Sequence, residues 1–463
     1  MAGGHQQDRS VYSESDTSSP TVATEAVMMV AAIAARDRRH VVTIDIGGAF
    51  LRGKFKDGSD PVVMRLEKEL ADTLCAIDKS YEAYVRPDGS MYVKLTRPLY
   101  GLIEAAKLWF EEISSTLKRQ GFVQNQYDQC TWNRDFNGHQ HTVVLHVDDL
   151  KSTCVDDKAN QQLIEALRSK YKDINVQEGL VHPYLGMTFD YSVEGKVKVT
   201  QDGYVSELIA SEDIKSAVKT PASEDLFVID PDSAELNKEA KEHFHSLTAK
   251  LLYLSKRTRP DILVAVSFLT SRVQVATEQD GAKLTRVLRY LFGTQSLGIV
   301  LEADEQLLKL YCYIDASFGV HADAKSHTGT LVTLGKGPIM AKSVKQKINT
   351  KSSTEAELVG LSDSVSLVIW CRNFLESQGY KMPPASVFQD NLSTIAMVKN
   401  GKPTSDRTRH VNIRFFFVRD RETNDEIRIE YKPTKQMVAD IFTKALQGDL
   451  FVQLRNELMN ITA

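Results

Sequence analysis

No apolar run in the 463 residues is longer than ten, Ala26 to Ala35, and that run closes on the charged RDRRH. A bilayer-crossing helix needs about 20 such residues, so no membrane partner is expected. The start, MAGGHQQDRS, is polar. It lacks the apolar stretch of a secretory leader, and secretion is not expected. Cysteines are few and odd in number (Cys75, Cys130, Cys154, Cys312, Cys371), with no CxxC pair. That excludes a zinc knuckle and fits a reducing compartment. Net charge is only −4, from 57 basic and 61 acidic residues. No strongly basic tail of a nucleic-acid-packaging protein is present, and any hold on a polyanion must come from local stripes such as RDRR (36–39), equally readable as a solvated face, or KSVKQK (342–347), which lies on the hairpin before Glu357 and favours the phosphate-tracking reading. No 20–50-residue repeat is visible, which excludes a solenoid. LGKGP (334–338) lacks phosphate-loop spacing, and VDDK (155–158) lacks the other ligands of a calcium loop.

What is present is ordinary globular composition, 42% hydrophobic and 25% charged, on a chain long enough for roughly three domains. The pattern predicts a polar segment over 1–20, poorly ordered alone. Helices are predicted over 21–36, 100–121 and 159–171, and strands over 41–46 and within 181–200. Thr142 to Leu150 predicts a hairpin with acids at its tip. Turn signals stand at KDGSD and PDGS, a linker over 216–240, and two or three helices over 242–292 broken at TRPD. From 308 the order becomes strand, hairpin (328–350), long helix (353–378), strand at Val387, short helices, strand EIRIEY and a terminal helix from Lys435.

Acids recur at the ends of these elements. Asp45 lies in VVTIDIGGAFLRG, and Asp148 and Asp149 in TVVLHVDDL. Asp315 (YCYIDASFG), Glu357 (SSTEAELVGLSDS), Asp390 (VFQDN) and Asp440 (QMVADIFTK) follow far downstream. A carboxylate at the end of an apolar strand is costly unless compensated, and several together need a shared cation. Two Mg²⁺ ions per cluster, with Mn²⁺ an alternative, are the expected compensation. Such paired ions clamp the two oxygens of an in-line phosphoryl displacement. Asp45 and Asp148 are the expected metal holders of the first cluster, with Asp149 in support. Phe50, past the strand end, is placed to crowd a ribose 2′ position. Glu355 is two residues from Glu357, about 200° around a helix, and is expected to point elsewhere.

IDIGGAFLRG, RPLYGLIEAAKLWFEEISSTLKRQGF, LHVDDL, YLGMTF, LLYLSKRTRPDI and RYLFGTQSLGI are similar, in this order, to the reverse transcriptase region of copia-type LTR-retrotransposon polyproteins. The downstream acids, with SSTEAEL, resemble the RNase H domain that follows it. The resemblance implies an α+β and α/β multidomain protein: a right-hand polymerase palm and thumb with incomplete fingers (21–215), a helical connection (216–305) and an RNase H-like α/β domain (306–463). It implies seven catalytic acids, Asp45, Asp148, Asp149, Asp315, Glu357, Asp390 and Asp440, all except Asp149 holding metal. Phe50 matches the position excluding ribonucleotides, Tyr100 and Gly101 the nucleotide- and template-binding turn, and Gly186 the primer grip. His146 stands in the Tyr place of the Tyr-Val-Asp-Asp box, and His410 matches a family histidine, with a locally paired helix residue as the alternative. Implied partners are an RNA template, a DNA primer, an RNA–DNA hybrid, deoxynucleoside triphosphates and other Pol or Gag products. The implied location is cytoplasmic, in a virus-like particle, or nuclear. The start of the chain resembles the segment just after the family's basic triphosphate clamp, so hydrolysis is expected to outperform polymerisation. The competing expectation is a non-catalytic or RNase H-only remnant that binds nucleic acid.

Overall fold

The computed structural model describes residues 3–13, 17–56, 60–400 and 409–461, with the side chains at 400 and 409–411 outside that description. The His410 side chain and most of the KDGSD turn fall outside it. The Ala26–Ala35 run forms the body of the helix Thr24–Arg36 and is buried on every side, as a helix apolar all round must be. It packs against the strand Ile299–Ala303 and the long helix Ser353–Ser377, so it is core.

The first sheet carries the first acid cluster. Its six strands lie in the order Val123–Gln124, Thr131–Phe136, His139–His146, Asp149–Cys154, His40–Ile46, Ile174–Gln177. All neighbours are antiparallel. The helix Asp157–Tyr171 covers the central strands, and Tyr171 joins it to the helix Ala105–Arg119 through Trp109 and Thr116. The expected start of that last helix at Tyr100 is corrected: Gly101 has φ +100°, a left-handed conformation incompatible with helix, and α-helix begins at Ala105. The N-terminal stretch is ordered by docking on this turn. Gln7 Oε1 accepts from the Ile103 amide (2.8 Å), and a Cβ on Gly4 would strike the Gly101 carbonyl at 1.8 Å.

The second sheet runs Gly335–Lys336, Ile299–Ala303, Val197–Thr200, Met187–Asp190, Val181–Tyr184. It takes strands from three of the expected segments. The linker residues Thr220, Ala222 and Leu226 are also buried, so the chain between them is packed rather than free. Helices Lys238–Ser255, Leu263–Thr270 and Glu278–Phe292 follow, with Pro260 opening a 3₁₀ turn between the first two.

The third sheet has the order Met340–Lys345, His327–Thr333, Tyr311–Ser317, Ala385–Gln389, Ile427–Tyr431. The first three strands are antiparallel and the last three parallel, the RNase H-like arrangement. The helix Ser353–Ser377 crosses it, capped by Ser352, whose side chain accepts from the Glu355 amide. The strand expected from 308 begins at Tyr311, because Leu308 and Leu310 are buried outside the ladder. The terminal helix expected from Lys435 begins at Gly448. Before it, Thr434–Gln436 and Val438–Phe442 are 3₁₀ turns, so Asp440 does not open the last helix. Val438, Ala439, Ile441 and Phe442 are all buried, which a one-sided surface helix cannot achieve.

Candidate active sites

Four adjacent strands of the first sheet place His146, Asp149, Asp45 and Asn175 in one transverse row, each the direct partner of the next. Direct antiparallel partners have Cβ atoms roughly 4.5–5.5 Å apart on the same face. Asn175 Nδ2 donates to Asp45 Oδ2 (3.3 Å). Asp148 stands at the tip, in the two-residue turn between His146 and Asp149. Val147 in that turn has φ +55°, an unusual conformation for a β-branched residue. Trp109 Nε1 donates to the Val147 carbonyl (2.5 Å), so the buried indole holds the strained turn from below. Tyr100 OH donates to Asp148 Oδ2 (3.4 Å), and its ring meets Phe50 at 4.2 Å between centroids. Asp45, Asp148, Phe50 and Tyr100 are thus gathered at one edge.

Burial, then Asp148 and Asp45, push the Asp149 carboxyl up to about 6. Burial lowers His146, with Asp148 opposing and Arg257 adding to the effect, so the imidazole is neutral near pH 7. Its Nδ1 is buried without a hydrogen-bond partner. The glycine at 186 is required twice. Leu185 and Gly186 (φ +55° and +71°) form the two-residue turn between Tyr184 and Met187, and a Cβ at 186 would meet Tyr253 Oη at 2.6 Å. Tyr253 OH donates to the Leu185 carbonyl, and the Arg257 guanidinium stacks on the Tyr253 ring at 3.8 Å.

The second cluster is tighter. Asp315, Glu357 and Asp390 each offer an oxygen within 4.8 Å of the others. The palm acids form no group this tight. Asp315 and Glu357 are buried, and Asp390 follows the strand end at Gln389. Gln389 Nε2 donates to Glu357 Oε2 (3.1 Å), and Thr434 Oγ1 to Asp390 Oδ2 (2.7 Å). Thr443 Oγ1 donates to Asp315 Oδ2. Asp440 lies beside this trio, its Oδ1 buried without an aligned hydrogen bond although Lys444 Nζ is 2.9 Å away. Nζ is also 3.5 Å from Asp315 Oδ1. Glu355 instead accepts from the Lys351 amide and turns away, as expected.

Burial, then Asp315 and Asp390, push Glu357 up to about 9. Burial, then Asp315, push Asp440 up to about 7 against the pull of Lys444. Burial also raises Asp315, with Lys444 and Thr443 opposing. Hard carboxylate oxygens from neighbouring acids, crowded enough to retain protons, fit a hard divalent cation.

A family model described as reverse transcriptase (RNA-dependent DNA polymerase) matches residues 1–224. The Retrovirus-related Pol polyprotein from transposon RE1 of Arabidopsis thaliana is 27% identical over 99% of this chain. That from transposon RE2 of the same plant is 28% identical over 97%. The first 224 residues thus match a reverse transcriptase family, and nearly the whole chain is similar to retrotransposon Pol polyproteins. The chain spans about 30% of the length of these two Pol polyproteins. A solved structure of the foamy viral protease-reverse transcriptase with an RNA/DNA hybrid matches 85% of the chain and 44% of its own, with TM-score 0.50 at 13% identity. That likeness bears out the expected polymerase-plus-RNase H fold class. Motif reading missed Asn175, Trp109, Gln389, Thr443 and Lys444. Only Lys444 carried a legible signal, four residues beyond an expected helical acid.

Proposed function

We propose that this chain is the RNA-directed DNA polymerase and RNase H segment of a copia-type Pol protein, acting on primer–template and on RNA–DNA hybrid with Mg²⁺. The observation that carries this reading is the second cluster, three acids with oxygens within 4.8 Å, following a segment (1–224) that matches a reverse transcriptase model. Asp315, Glu357, Asp390 and Asp440 would hold metal in one site, and Asp45 and Asp148, supported by Asp149, in the other. Bound Mg²⁺ would supply charge neutralisation at the attacking and leaving oxygens.

The chain's own residues do the rest. Gln389 and Thr443 fix the carboxylates of Glu357 and Asp315, so little reorganisation accompanies substrate arrival. Tyr100 orients Asp148 and backs Phe50, whose ring crowds the sugar 2′ position and selects deoxynucleotides. The Leu185–Gly186 turn presents bare backbone to a primer strand, steadied by Tyr253. His146 remains a neutral hydrogen-bonding group beside the primer terminus. Hybrid selection in the second site would rest on 2′-hydroxyl contacts. The looser palm acids favour a second reading, a chain active in hydrolysis alone.

Separation of function tests both. Glu357→Gln is expected to lose at least a hundredfold of hybrid cleavage while keeping primer extension, and Asp148→Asn the reverse. Cleavage unchanged in Glu357→Gln would remove that site from the chemistry. Cleavage without any extension in the unmodified chain would establish the hydrolysis-only reading.

A further inference from the structure

Lys444 is a cation set among acids. Its Nζ stands 2.9 Å from Asp440 Oδ1 and 3.5 Å from Asp315 Oδ1. The 3₁₀ turn Val438–Phe442 delivers it there, with Thr443 anchoring the backbone through Asp315. A divalent cation shared by Asp440 and Asp315 would take oxygens at roughly 2.0–2.1 Å, and an ammonium this near would repel it. The side chain is 38% exposed, and a four-carbon stem can carry its strongly hydrated head into water.

We infer that Lys444 is a tethered counter-ion, occupying the Asp440 side of the pocket when metal is absent and leaving it when a second cation loads. This rests on the metal-site reading of the second cluster. It makes the two metal positions unequal. The position among Asp315, Glu357 and Asp390 fills first, and the position toward Asp440 fills only when Mg²⁺ displaces the ammonium. Lys444 is therefore a positioning residue that sets the metal concentration at which the site is complete.

The test uses the full chain and MgCl₂ alone, read by calorimetric titration and by thermal melting in chelator. Lys444→Met is expected to melt at lower temperature without metal, to gain more on adding Mg²⁺, and to bring the weaker binding step down about tenfold in concentration. Lys444→Arg, which keeps the charge, is expected to retain the weak step. Adding Asp440→Asn to Lys444→Met removes the unbalanced charge and is expected to restore the metal-free melting temperature, which loss of packing would not do. Unchanged or weaker Mg²⁺ binding in Lys444→Met, or no rescue by the double variant, would overturn the inference. A wild-type chain with no Mg²⁺ response at all would overturn the metal-site reading beneath it.

Discussion

Glu357 is buried with Asp315 and Asp390 close enough to share its field. Its proton is therefore held to about 9, whereas an unfolded Glu releases it near 4.3. Asp440, held to about 7, behaves alike. Between these limits the fold binds more protons than the unfolded chain, so stability falls as pH rises. In chelator, the melting temperature is expected to drop progressively from about pH 5 to pH 9. Saturating Mg²⁺, by taking the place of those protons, is expected to flatten the slope. A metal-free melting temperature that rose over that range would contradict the crowding of these acids. At this scale the sequence was eloquent about the acids, because a carboxylate beside an apolar strand has few reasons to be there. It was silent on Asn175 and Gln389, whose roles exist only through strand register. Trp109 is core, and its Nε1 also holds the Val147 turn.

The elements show where local pattern stops being informative. Lys435 to Leu446 has helical spacing, yet the chain takes 3₁₀ turns because its apolar residues are buried on all sides against the third sheet. Gly329 on the strand beneath allows that approach: a Cβ there would meet the Ala439 carbonyl at 2.7 Å and Phe442 Cβ at 2.8 Å. The TRPD break was legible from proline alone, but its purpose was not. Arg259 and Asp261 are wholly buried and doubly hydrogen-bonded (3.0 and 2.8 Å). Tyr290 donates to Asp261 (2.6 Å), and the guanidinium also donates to the Thr294 carbonyl and Oγ1 (2.8 and 2.7 Å). Removing one partner strands the other's charge in the core, at a cost of about 3–5 kcal/mol. Asp261→Ala is expected to lose that much in urea denaturation, and Arg259→Met with Asp261→Leu distinctly less. Equal losses would show that packing, not the stranded charge, dominates.

At the scale of the whole molecule, the parts that carry the first and third sheets are joined by more than a linker. Arg39 Nη2 donates to Tyr380 Oη (2.8 Å), Gln140 Nε2 to the Gln378 carbonyl (2.6 Å), and Asn125 Nδ2 to the Phe374 carbonyl (2.9 Å). These contacts seat the C-terminal end of the Glu357 helix, and the residues just past it, against the first sheet. The second sheet joins strands 181–200, 299–303 and 335–336 into one ladder. None of this was legible from a chain read in segments, because the contacts join residues about 240–340 positions apart. On the proposed function, two acid clusters fixed in one framework would address one duplex at two places. The most direct measurement is anomalous diffraction from crystals of the full chain soaked in Mn²⁺. Peaks are expected among Asp315, Glu357, Asp390 and Asp440, and between Asp45 and Asp148. Ordered protein carrying no Mn²⁺ at either cluster, at concentrations that saturate hybrid cleavage in solution, would contradict it.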